Sequence, residues 1–172
     1  MRQTSFDDFH CSLARSLEVM GDWWSPLILR DVYAGIDRFD DLVTDLGISR
    51  NLLATRLDHL VEHEVLRREA WSERPLRHRY VFTEAGRDLV PVLAALTAWG
   101  DRWRPPPGGP PIRFRHGRHR CVPTVACSTC GEPVGADDLV PVPGPGGTVA
   151  PGTMLLARLM GASDTDEPPT SR

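Results

Sequence analysis

Apolar residues recur at three- and four-residue intervals through the N-terminal part of the chain, and the breaks between runs outline its elements. From Cys11 to about Val19 the positions Leu13, Leu17 and Met20 predict a helix, which Met20-Gly21-Asp22 ends. A second helix is expected from Trp23 to Tyr33, with Trp24, Leu27, Ile28 and Val32 near one face. Pro26 falls in its first turn, where a missing N–H costs nothing, and Ala34-Gly35-Ile36 closes it. Phe39 to Leu46 is short and amphipathic. Phe39, Leu42, Val43 and Leu46 point inward, and Asp40, Asp41 and Asp45 form a solvated outer face. Gly47-Ile48-Ser49 is a tight turn that delivers Ser49 as an N-cap. From Arg50 to about Glu64, Leu52, Leu53, Leu57, Leu60 and Val61 keep helical spacing. Two helices joined by a short Gly-containing turn are the helix-turn-helix signature.

The period then changes. Val65–Trp71 and Arg77–Phe82 read as two strands of a hairpin, connected by Ser72 to Leu76. Thr83 caps a long helix that runs to about Trp103 through Leu89, Val92, Leu93, Leu96 and Trp99, with Pro91 placed to kink it. This order predicts a mainly α winged helix-turn-helix fold with a small β-hairpin wing, occupying residues 1–104. PPPGGPP at 105–111 is a linker that can be neither helix nor central strand. Residues 112–143 hold a Cys/His cluster, a candidate zinc-ribbon-like extension. Residues 144–172 read as a flexible tail that includes the short amphipathic run MLLARLM.

Charge changes the picture only once it is divided along the chain. The net charge is −3, with 20 basic residues, all Arg, against 23 acidic ones. Residues 1–46 carry 4 Arg against 9 acids, whereas residues 47–80 carry 7 Arg against 5 acids with three His besides. A DNA footprint depends on the local field rather than the sum, and here the positive charge lies on the helix-turn-helix and hairpin. No apolar run approaches the roughly 18 residues of a membrane span. The N-terminus has acids where a secretory leader would be basic, so the expected location is the cytoplasm.

The chemistry on the second helix of the motif suits base reading. An α-helix fits the major groove of double-stranded DNA with its N-terminal residues facing base edges. Those residues are Ser49, Arg50, Asn51, Thr55 and Arg56. Arg pairs bidentately with guanine and Asn with adenine. The hairpin tip carries Arg74 and Arg77, followed by His78 and Arg79, with no acid among residues 74–79. Such a wing contacts phosphates or the minor groove. The bland alternative is an Arg-bearing solvated helix.

From Cys11 to about Trp103 the chain resembles the HxlR family of bacterial winged-helix regulators. The match is carried by CSLARSLEVMGDWW from Cys11, LILRD from Leu27, RFDDL from Arg38 and GISRNLLATRLDHL from Gly47. It continues in VLRR from Val65, RYVFTEAG from Arg79 and LAALTAWG from Leu93. The resemblance implies a homodimer built on the N-terminal and long C-terminal helices, here bearing Leu13, Leu17, Leu93, Leu96 and Trp99. A two-fold dimer presents its recognition helices about 34 Å apart, so the operator is expected to be an inverted repeat. The resemblance also implies a regulator, most often a repressor.

Two candidate signals accompany it. Cys11 stands where such regulators place a cysteine near a helix N-terminus, a position that favours the reactive thiolate. Its sensing oxidants or electrophiles competes with simple packing of a small thiol. A small-molecule effector near Trp23, Trp24 and Trp99 is the other, against a plain core role for those rings.

The C-terminal CSTCG knuckle, Cys127 to Gly131, has the shape in which two thiolates bind one zinc. Cys121 with His119 or His116 would complete a Cys3His set, although the gap from Cys121 to Cys127 demands a tight loop. A redox pair or a solvated remnant fits the same residues. The alternative function is a zinc-binding or thiol-redox protein whose winged helix serves protein partners. An enzyme is not expected: no nucleophile–base grouping or phosphate-cradling Gly loop is present, and the core fold requires no cofactor.

Overall fold

The computed structural model describes residues 5–161, which divide into two compact units. One comprises Trp23 to Val134; the other joins the residues up to Asp22 with those from Gly135 onward.

In the larger unit, α2 (Ser25–Ala34), α3 (Phe39–Leu46) and α4 (Arg50–Glu62) are followed by β1 (Leu66–Glu73), β2 (Leu76–Phe82) and α5 (Glu84–Trp103). Leucine spacing along α4 decides its packing. Leu53, Leu57 and Leu60 are fully buried, as are Ile28 and Leu29 of α2 and Leu42 of α3. Each such side chain contributes roughly 1.5–3 kcal/mol by leaving water. The polar sides of α3 and α4 are thereby turned outward. Gly47 ends α3 at φ 61, a left-handed conformation that favours glycine. Ser49 then caps α4, its Oγ accepting the Leu52 N–H at 3.3 Å. Ile48, 4% exposed, anchors the turn between them.

The wing is a two-stranded antiparallel hairpin in the register Leu66↔Phe82 to Glu73↔Leu76. Its strands reach further than the expected Trp71 and begin earlier than Arg77, leaving only Arg74 and Pro75 outside. A register shift between Ala70 and Ser72 is the reason: Trp71 bulges out, and the ladder resumes beyond it. At the other end, Thr83 fastens the wing to α5. Its Oγ1 accepts the Gly86 N–H at 3.1 Å and donates to the Glu64 carbonyl at 2.5 Å, while its backbone N–H donates to the Val65 carbonyl at 3.1 Å. Gly86 is required there, because a Cβ would lie 2.1 Å from the Val65 oxygen. Pro91 lies inside α5, which continues unbroken through it.

After the proline-rich stretch comes a hairpin of β3 (Phe114–His116) and β4 (His119–Cys121), then a turn holding Cys127 and Cys130. In the smaller unit, α1 (Ser12–Met20) and α6 (Met154–Leu159) are joined through the N-terminal segment. The His10 N–H donates to the Pro151 carbonyl at 3.0 Å, and Phe9 lies against Gly152. The stretch expected to be a flexible tail thus includes α6; its last residues, 162–172, lie outside the described ones. No described helix is long and apolar enough to cross a membrane.

Candidate nucleic-acid interface

Burial of Leu53, Leu57 and Leu60 leaves Ser49, Arg50, Asn51 and Thr55 exposed on the opposite side of α4. Arg56 is half-buried. The Thr55 hydroxyl donates to the Asn51 carbonyl at 3.0 Å and is occupied along the helix itself. Arg50 is poised rather than loose. Its Nη1 lies 2.7 Å from Asp40 Oδ1, and its guanidinium covers the Phe39 ring at 4.9 Å. Asp40, expected as part of a solvated face, therefore has a partner on the recognition helix.

The wing distributes its arginines unequally. Arg74 is exposed at the tip. Arg77 stands 5.8 Å from the Trp71 ring, and Arg38, just before α3, approaches the same ring to 4.1 Å. Arg79 is paired with the opposite residue of the ladder, Glu69, at 2.6 Å. The Arg79 guanidinium holds the Glu69 carboxyl below its ordinary range. Arg68 forms an ion pair with Asp58 of α4.

A groove of about 420 Å³ between α3, α4 and the wing gathers Arg38, Arg50, Arg77 and His78 around Trp71, with Asp40 and Asp41 of α3 also in its wall. Arg50 and Arg77, far apart in sequence, face one space. Arg38 and Trp71 are the members sequence reasoning missed. The available signal was an aromatic residue in an otherwise polar strand. The Arg38–Trp71 contact itself spans elements and leaves no local pattern.

Beneath this face, Asp31 is 2% exposed and pairs with Arg30 at 2.6 Å. Burial raises its carboxyl above the usual range, against the lowering pull of Arg30.

The cysteines do not assemble as a zinc site. β3 and β4 pair Phe114 with Cys121 and His116 with His119, so His119 stacks near His116 at 5.7 Å while Cys121 sits at the other end of the hairpin. Cys127 and Cys130 occupy a separate turn, closed by Gly131 N–H to the Cys127 carbonyl at 2.8 Å and Cys127 N–H to Glu132 at 2.9 Å. Among the described residues no group of three or more His, Cys, Asp or Glu side chains is placed to hold a metal ion. His119, Cys121, Cys127 and Cys130 are thus not brought together as a metal-binding group, so the zinc expected at a Cys3His centre is not supported. The turn does alter one of them. The Cys130 amide, then that of Thr129, stabilise the Cys127 thiolate and lower its pKa to about 7. Cys11 is the half-buried N-cap residue of α1. Trp23 is 90% exposed, which removes it from the core of the chain.

Helix-turn-helix, two-stranded wing and long following helix define a winged helix-turn-helix protein. Residues 19–107 match the HxlR-like helix-turn-helix family model. An uncharacterised HTH-type transcriptional regulator of Mycobacterium tuberculosis is 45% identical over 139 residues, covering 78% of this chain and 87% of the relative. The crystal structure of PA1607, a candidate transcription factor, superposes with a TM-score of 0.69 at 35% identity, covering 80% of this chain and 97% of that one. The redox regulator HypR in its reduced form gives 0.52 at 25% identity, covering 55% and 94%. The chain belongs to the HxlR-like helix-turn-helix family. It is a DNA-binding transcription regulator and not an enzyme.

Proposed function

We propose that the chain is a repressor that binds an inverted-repeat operator in the cytoplasm as a homodimer. Ser49, Arg50, Asn51, Thr55 and Arg56 would face base edges, and Arg74 and Arg77 phosphates. Arg79, satisfied by Glu69, would act mainly by holding the wing straight. The observation that carries this reading is the groove in which Arg50 of α4 and Arg77 of the wing converge. Dimerisation is supported by apolar side chains left exposed on the two helices assigned to it: Leu13 and Leu17 on α1, Leu96 and Trp99 on α5. The repressor sign rests on the family resemblance. A thiol response is a further part of the proposal, supported by the lowered pKa of Cys127 and by likeness to HypR, which is described as a redox regulator. Cys11, at the root of α1, is the second candidate thiol.

The test is a shift assay on DNA upstream of the chain's own gene and its neighbour, with reduced, oxidised and Arg50→Ala/Arg56→Ala protein. Tight binding that weakens steeply with salt, and weakens about tenfold or more in the double variant, is expected. Release on oxidation, abolished by Cys11→Ser or Cys127→Ser, would assign the thiol. A folded protein that binds no such DNA at any salt would overturn the operator reading in favour of protein partners.

A further inference from the structure

A cavity of about 500 Å³ lies between α2, α5 and β3, away from the groove that faces DNA. Its volume is within the roughly 300–1,000 Å³ of small-molecule sites. Leu27, Val90, Leu93, Leu96, Ile112 and Phe114 make the wall apolar. Arg30, Arg113 and Arg115 are also among its lining residues, and no acidic residue is. Arg30 is engaged by Asp31 at 2.6 Å and Asp45 at 3.5 Å. Arg113 and Arg115 have no carboxylate partner among the described residues. They flank Phe114, the first residue of β3, and both are exposed; Arg113 also lines a neighbouring cleft that holds Asp101.

From this combination we infer that the cavity binds a small amphipathic carboxylate, an aromatic or aliphatic acid. A planar guanidinium takes a carboxylate through two parallel hydrogen bonds, and an apolar wall strengthens that attraction by excluding water. A neutral hydrocarbon of the same size would leave both arginines unanswered. An inorganic anion would leave the leucines and Phe114 in water. Only a ligand with both ends satisfies the whole surface. Such an acid would tie α2, which packs beneath the helix-turn-helix, to α5 and β3, and so change operator affinity. That last step rests on the DNA-binding reading above.

Calorimetry on the full chain tests the site with 2-naphthoate, 2-naphthalenemethanol and sulfate. One naphthoate per chain is expected, bound at least about tenfold tighter than the alcohol, with sulfate giving no heat. Arg113→Gln/Arg115→Gln, on an exposed hairpin, should erase the preference for the acid, and Ala94→Trp should fill the cavity and stop binding. Equal binding of acid and alcohol, or naphthoate binding unchanged in both variants, would overturn the inference. So would absence of naphthoate binding, including the case in which sedimentation shows a second copy of the chain covering the cavity. A shift assay with naphthoate separates the two readings. Operator binding by a protein that ignores the acid refutes this site and leaves the regulator standing. Acid binding that leaves operator affinity unchanged refutes the coupling alone.

Discussion

Helices α4 and α5 are both amphipathic, yet they treat their apolar faces in opposite ways. On α4, Leu53, Leu57 and Leu60 are fully buried within the chain. On α5, Val92, Leu96, Trp99 and Trp103 are each more than half exposed. Shape and spacing are alike; what differs is whether one chain can supply the cover. The α4 face is satisfied by α2 and α3, so its outer side is free to carry Arg50 and Asn51. The α5 face is left for something else to fill, and part of it already forms the wall of the carboxylate cavity.

The comparison breaks first if the two faces respond alike to truncation. Leu57→Ala should destabilise the chain by about 2–5 kcal/mol in chemical denaturation, the cost of a cavity in a closed core. Leu96→Ala, at an exposed site, should cost the isolated chain no more than about 0.5 kcal/mol. A similar loss at both would mean that α5 is covered within its own chain. The next test is assembly. Leu96→Glu with Trp99→Glu should lower the sedimenting mass to that of one chain while circular dichroism stays unchanged, and a dimer that persists would place the interface elsewhere. The smallest effect belongs to the outer side of α4. Asp40→Ala releases Arg50 from an exposed pair and should tighten DNA binding by no more than about fivefold, with a steeper salt dependence. Weaker binding would mean that Asp40 orients Arg50 rather than restraining it.

Much of α4 was readable in the sequence because everything that makes it is local. Gly47 supplies the turn, Ser49 the cap, and leucines at three- and four-residue spacing the buried face. The bounds of α3 agree with the expectation, and those of α4 differ from it only at the C-terminal end, where Glu62 rather than Glu64 is the last residue. The wing was legible as a hairpin but not in its ends. One bulged residue, Trp71, shifts the ladder, and nothing in a period-two pattern announces a bulge. Pairings between elements were invisible for the same reason. The contacts of Asp40 with Arg50, Glu69 with Arg79 and Arg38 with Trp71 depend on how separate segments meet. The cysteines show the converse hazard. Their spacing suggested a shared metal, but among the described residues no three ligating side chains come together.

The joint at Thr83 and Gly86 has a mechanical consequence. Because Thr83 bonds both the start of α5 and the carbonyls just before β1, and a bare Cα lets the backbones touch, α5 and the wing share a fulcrum. A 20-residue helix extends about 30 Å from that point. Pro91 removes one amide from the helical ladder two turns out, making this the most compliant place along the rod. A push on α5 between Pro91 and Thr83 therefore reaches the wing through a stiffer lever than a push applied beyond Pro91.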